Sequence, residues 1–117
     1  MLEDVPTADV VITNPTHFAV AIRYESGVMQ VPVVVAKGAD LMAYSIREIA
    51  QNNDVTVLQL PLLARAVYFN TDIGGEIPAG LYVAVARVLA YIYQLRQFRS
   101  GTGAPPQIGR ASCRERV

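Results

Sequence analysis

Two apolar runs separated by four turn-forming residues constrain this chain more than any other feature. Ala8-Asp9-Val10-Val11-Ile12-Thr13 precedes the tetrapeptide Asn14-Pro15-Thr16-His17, and Phe18-Ala19-Val20-Ala21-Ile22-Arg23-Tyr24 follows it. The first run is apolar at nearly every position, as in a strand buried on both faces of a sheet. The second alternates, with Phe18, Val20 and Ile22 on one face and Ala19, Ala21 and Arg23 on the other. Both read as β-strands. The residues are compatible with a hairpin or with a kink in one extended path.

The chemistry open to Asn followed by Pro is narrow. Pro15 has no N–H, so its nitrogen cannot attack the Asn14 side chain, and ordinary deamidation is closed. The reverse attack is open. The side-chain amide nitrogen of Asn14 can attack Asn14's own carbonyl carbon, close a succinimide and expel the Pro15 nitrogen, which breaks the chain. An amide is a poor nucleophile and an amine a poor leaving group, so the fold must hold the attack geometry and manage protons. His17, the single histidine, is the candidate for proton handling or carbonyl polarisation. Thr16 is the candidate for positioning the turn or donating to the developing oxyanion. The same four residues also describe an ordinary Asn-Pro turn.

The rest of the chain supplies a scaffold. Residues 1–7 read as an irregular lead-in and Glu25-Ser26-Gly27 as a turn. Val33-Val34-Val35-Ala36 reads as a strand that Lys37-Gly38 breaks. A helix is expected from about Ala39 to Asn52, with Met42, Ile46 and Ile49 at helical spacing and Asp40 in its first turn. Asn53-Asp54 ends it, and Val55-Thr56-Val57-Leu58 is a further strand. Pro61 opens a helix to about Phe69, on which Arg65 reads as a partner contact or, more simply, a solvated charge, and residues 70–75 form a loop. Pro78 opens the last helix, with Leu81, Val85, Val88, Leu89, Ile92 and Leu95 as its apolar stripe out to about Phe98 and Tyr91 and Tyr93 at a half-buried boundary. The expected fold is α/β: a small sandwich with a four-stranded mixed β-sheet flanked by helices, and the candidate cleavage loop between the first two strands.

Composition excludes several function classes. The chain has 117 residues, which suits one small domain. Although 52% of it is hydrophobic, no run is long enough to cross a bilayer and no signal peptide opens it, so it is expected to be soluble. Ten basic and ten acidic residues cancel, which gives no electrostatic argument for nucleic acid or an anionic membrane. The lone cysteine, Cys113, excludes an intramolecular disulfide framework and any multi-cysteine metal site. Lys37-Gly38 lies in no phosphate-binding pattern, and neither a metal nor a cofactor is expected.

Residues 3–98 resemble the export-apparatus switch proteins of type III secretion systems, the FlhB/YscU/SpaS family. The resemblance rests on Glu3 to Ala21 around Asn14-Pro15-Thr16-His17, on Val33 to Asp40, on Ile46-Arg47-Glu48-Ile49-Ala50, on Leu62 to Tyr68 and on Gly75-Glu76-Ile77-Pro78. Ala36-Lys37-Gly38-Ala39-Asp40 and the Gly-Glu-Ile-Pro loop are closer to the flagellar branch. One departure is Leu62 after Pro61, where the family has a second proline. The resemblance implies a cytoplasmic domain of an inner-membrane protein, here without the family's membrane-spanning half, that cleaves itself between Asn14 and Pro15 while the pieces stay associated. It implies a switch in export substrates from rod and hook proteins to filament proteins. The implied partners are export gate components, those substrates and a hook-length ruler protein. Gln107 to Val117 resembles the translation of a sequencing adapter, and residues 101–117 are expected to be a linker-like, non-native tail.

Two other readings have less support in the residues. One is a docking domain of a secretion apparatus that never cleaves. The other is a small-molecule or nucleotide enzyme, for which no paired-carboxylate, Cys/His or Gly-rich constellation is present.

Overall fold

In a computed structural model, residues 1–15 and 17–99 are described. Thr16 and the tail from 100 onward, with Cys113, lie outside the described residues. The chain forms strands β1 (Val10–Asn14), β2 (Phe18–Arg23), β3 (Val33–Ala39) and β4 (Thr56–Gln59) and helices α1 (Leu41–Asn52), α2 (Pro61–Asn70) and α3 (Tyr82–Arg99).

The four strands make one sheet in the order β3-β2-β1-β4. β1 and β2 are an antiparallel hairpin in which Asn14 faces Phe18 and Val10 faces Ile22, which decides the question that the residues left open. β4 returns parallel to β1 through α1, with Val10 beside Thr56 and Thr13 beside Gln59. The sheet is therefore mixed, with β1 hydrogen-bonded on both sides.

Helices cover both faces. Val10, Ile12, Val20, Ile22 and Val34 meet Ala64 and Val67 of α2 and Val85, Val88 and Ile92 of α3. On the other face Val11, Ala19, Ala21 and Ala36 meet Ala43, Ile46 and Ala50 of α1, together with Val5. Alternation along a strand sends successive side chains to opposite faces, so β1 must be apolar throughout to serve both layers. Each fully buried aliphatic side chain contributes about 1.5–3 kcal/mol. Small alanines on the α1 face allow close approach of that helix, while larger valines and isoleucines fill the space beneath α2 and α3.

Several local expectations are corrected. The lead-in is a 3-10 helix, Leu2–Thr7, held by fully buried Val5, whose carbonyl accepts from the Ala8 N–H at 3.0 Å. Lys37-Gly38 does not break β3. Lys37 pairs with Val20 and Gly38 with Ala19, so cross-strand pairing overrides the glycine signal. Gly38 lies where α1 crosses the strand closely: a Cβ there would stand 2.2 Å from Met42 Cγ. Asp40 precedes α1 instead of lying in its first turn. Pro78 opens a 3-10 turn, Ala79–Leu81, before α3 begins. Tyr91 packs against the core as expected. Tyr93 is exposed, because one residue beyond Ile92 turns it about 100° off the apolar stripe.

The segment after α2 covers the free edge of β3. Gly74 N–H donates to Val34 O at 2.7 Å, Val34 N–H to Gly75 O at 3.0 Å and Ile77 N–H to Pro32 O at 2.9 Å. An edge that would otherwise pair with another chain is thereby occupied.

Candidate functional site

Asn14, Pro15 and His17 lie at the tight turn of the β1–β2 hairpin. Asn14 is the last residue of β1 and is half-buried, as is Pro15; His17 is exposed. The Asn14 carbonyl oxygen accepts from the backbone N–H of His17 at 2.9 Å. This is the 1→4 bond of a β-turn, with Pro15, which fixes φ near −65°, at the position that suits it best. The carbonyl that the sequence marks for attack is thus polarised by a backbone donor.

Two further backbone bonds fix the turn. Leu60 N–H, just before α2, donates to Thr13 O at 3.0 Å, and Asp40 N–H, just before α1, donates to His17 O at 2.9 Å. The residues on either side of the Asn14-Pro15 bond are therefore tied to the starts of two helices on opposite faces of the sheet. Sequence reasoning missed Leu60 and Asp40, since backbone donors carry no residue-type signal.

The His17 ring lies beside the turn, with Nδ1 3.2 Å from the Pro15 carbonyl oxygen. A carbonyl only accepts, so this contact requires the proton on Nδ1 and leaves Nε2 as the acceptor of the neutral ring. Strand alternation puts Asn14 on the same face as its cross-strand neighbour Phe18. Phe18 packs against Tyr68 and Phe69 at the end of α2, with ring centroids 4.5 and 5.2 Å away. Lys37 completes this wall: its Nζ donates to Tyr68 O at 2.8 Å and stands 4.9 Å from the Tyr68 ring centroid. A cation here also suits the negative end of α2. Arg65, expected to be merely solvated, is exposed and stands over the Phe69 ring at 5.2 Å.

On the α1 face a polar pocket of about 320 Å³ opens beside Thr13, between Tyr44, Glu48 and Gln59. The Tyr44 hydroxyl donates to Glu48 Oε2 at 2.9 Å. That bond, and the carboxylate's charge, raise the phenol above its ordinary value. A larger groove of about 670 Å³ lies at the opposite end of β1, between the β2–β3 connection and α3. Pro32, Leu89 and Tyr93 line it, and the Asp9–Arg96 ion pair, 3.1 Å long, borders it. Among the described residues no group of three or more His, Cys, Asp or Glu side chains could hold a metal ion. No described helix is long and apolar enough to cross a membrane.

Residues 1–92 match the model of the FlhB HrpN YscU SpaS family. The chain belongs to that family. It is 53% identical over 108 residues to the flagellar biosynthetic protein FlhB of Salmonella typhimurium, covering 92% of this chain and 28% of that protein. It is 43% identical over 97 residues to FlhB of Bacillus subtilis, covering 83% of this chain and 27% of that protein. The chain therefore spans little more than a quarter of these relatives. Among solved structures, the cytoplasmic domain of FlhB from Shewanella putrefaciens superposes with a TM-score of 0.85 at 44% identity, over 91% of this chain and 81% of that one. The C-terminal domain of PscU superposes with a TM-score of 0.64 at 40% identity, over 67% of this chain and 99% of that one. The four-stranded mixed sheet with flanking helices is the fold of FlhB cytoplasmic domains.

Proposed function

We propose that this chain is the self-cleaving substrate-specificity switch domain of a flagellar type III export apparatus. The observation that carries the reading is the 2.9 Å bond from His17 N–H to the Asn14 carbonyl oxygen. It supplies polarisation at the carbonyl that must accept the nucleophile, and the turn holds it there before reaction.

The side-chain nitrogen of Asn14 attacks the Asn14 carbonyl carbon. The new C–N bond closes a succinimide, the bond to Pro15 breaks, a proton leaves the amide nitrogen and a proton is gained by the Pro15 nitrogen. Negative charge on the oxygen as the tetrahedral carbon forms is met by the His17 N–H. Thr16 positions the turn, and the His17 imidazole carries protons between the amide and the departing nitrogen. The reaction turns over once and needs no cofactor or metal.

After the cut, residues 1–14 stay in place, because β1 is paired to both β2 and β4 and buried on both faces. The consequence is local: the His17 end is released from Asn14. In the apparatus this release accompanies the change from rod and hook proteins to filament proteins, in contact with the export gate and a hook-length ruler protein at the cytoplasmic face of the inner membrane.

Mass analysis of freshly cut protein tests the chemistry. Cyclisation yields a 1–14 fragment one water lighter than the free acid, which then hydrolyses. A fragment that carries the free acid from the earliest time, with solvent oxygen incorporated in step with the cut, would instead assign direct hydrolysis.

A further inference from the structure

The residue that ties the cleavage turn to α1 has an unusual backbone. Asp40 has φ +52° and ψ −117°, the mirror image of the first corner of a type II turn and a region dominated by glycine. A glycine lies only two residues earlier, at Gly38, yet the chain carries an aspartate at the strained position. The ordinary reward for aspartate before a helix is a side-chain cap, and Asp40 makes no side-chain cap bond. Its backbone is used twice instead. The Asp40 N–H donates to His17 O at 2.9 Å, and the Asp40 carbonyl accepts the first helical bond, from Tyr44 N–H at 3.0 Å. The conformation is fixed on both sides: Ala39 pairs with Phe18 in the sheet, and α1 is packed down on the strand through Gly38 and Met42.

We infer that Asp40 is a positioning residue for the cleavage turn. Its strained, inflexible backbone holds the His17 carbonyl and thereby keeps the His17 N–H on the Asn14 carbonyl. A local conformation that is costly in itself persists where the surroundings over-determine it, and this one stands one hydrogen bond away from the turn that must be held for reaction. Glycine at position 40 would keep the N–H and relieve the strain, but would let the joint between α1 and the turn swing. The inference rests on the proposed self-cleavage for its kinetic arm only.

The test compares Asp40→Gly and Asp40→Asn with the parent chain. Asparagine, like aspartate, is accepted at the positive-φ corners of mirror-image turns, so Asp40→Asn should keep the parent's cleavage rate after refolding. Asp40→Gly should raise the thermal midpoint while slowing cleavage about tenfold. A merely structural residue would not move stability and rate in opposite directions. In an Asn14→Ala background, which blocks cleavage, Asp40→Gly should speed amide hydrogen exchange at His17 and Asp40→Asn should not. Unchanged His17 exchange in Asp40→Gly would overturn the inference, as would Asp40→Asn cleaving as slowly as Asp40→Gly with exchange unaltered. If the parent chain never cleaves, the self-cleavage reading fails by itself and the exchange comparison still decides the role of Asp40.

Discussion

The backbone N–H of His17 stands 2.9 Å from the carbonyl oxygen of Asn14, so the proposed point of attack is polarised by the main chain of the residue whose side chain the sequence singles out. Two contributions of His17 can therefore be separated. Replacing the peptide N–H of residue 17 by an ester oxygen, with the imidazole retained, should slow cleavage by a factor on the order of 10²–10³. His17→Ala keeps the N–H and loses only proton handling, a contribution of roughly 10²–10⁴. Single-turnover rates of refolded protein check both, and an ester variant cleaving at the parent rate would remove the N–H from the mechanism.

Cleavage should leave the fold whole. β1 is hydrogen-bonded to β2 and β4, and Val10, Val11 and Ile12 are fully buried. Residues 1–14 and the remainder should co-elute in native gel filtration and separate only in denaturant. Ile12→Ala, which empties space on the α2/α3 face, should cost about 2–5 kcal/mol in denaturant titration and lower the denaturant concentration at which the fragments part.

Gly38→Ala should be destabilising although glycine is a poor strand residue. The added Cβ would stand 2.2 Å from Met42 Cγ and 2.6 Å from Met42 Cβ, so α1 must shift, at about 1–3 kcal/mol. Adding Met42→Ala removes only the first contact and should recover part of the loss. Because α1 begins just after Asp40, the shift should also loosen the bond to His17 and slow cleavage.

The parts of the fold legible in the sequence were those that local pattern determines. β1 and β2 announced themselves by apolar runs, and Pro61 by its place at the start of a helix. What escaped was set by partners distant in the chain. Whether the Asn-Pro turn is a hairpin depends on β2 pairing back onto β1. Gly38 reads locally as a breaker, and only its pairing with Ala19 and the approach of Met42 make it a strand residue. Asp40 carries no glycine-like signal for its positive φ. At the proposed site, Asn14, Pro15 and His17 stand out in the sequence by residue type, whereas the backbone N–H groups of His17, Asp40 and Leu60 that hold the turn do not.

Self-cleavage is tested most directly by the intact mass of freshly purified chain under denaturing conditions, beside Asn14→Ala. Self-cleavage should give two fragments meeting at Asn14 and Pro15 in the parent and a single chain in the variant. A parent chain that stays whole through prolonged incubation at neutral pH, or a variant that is cut at the same bond, would contradict it.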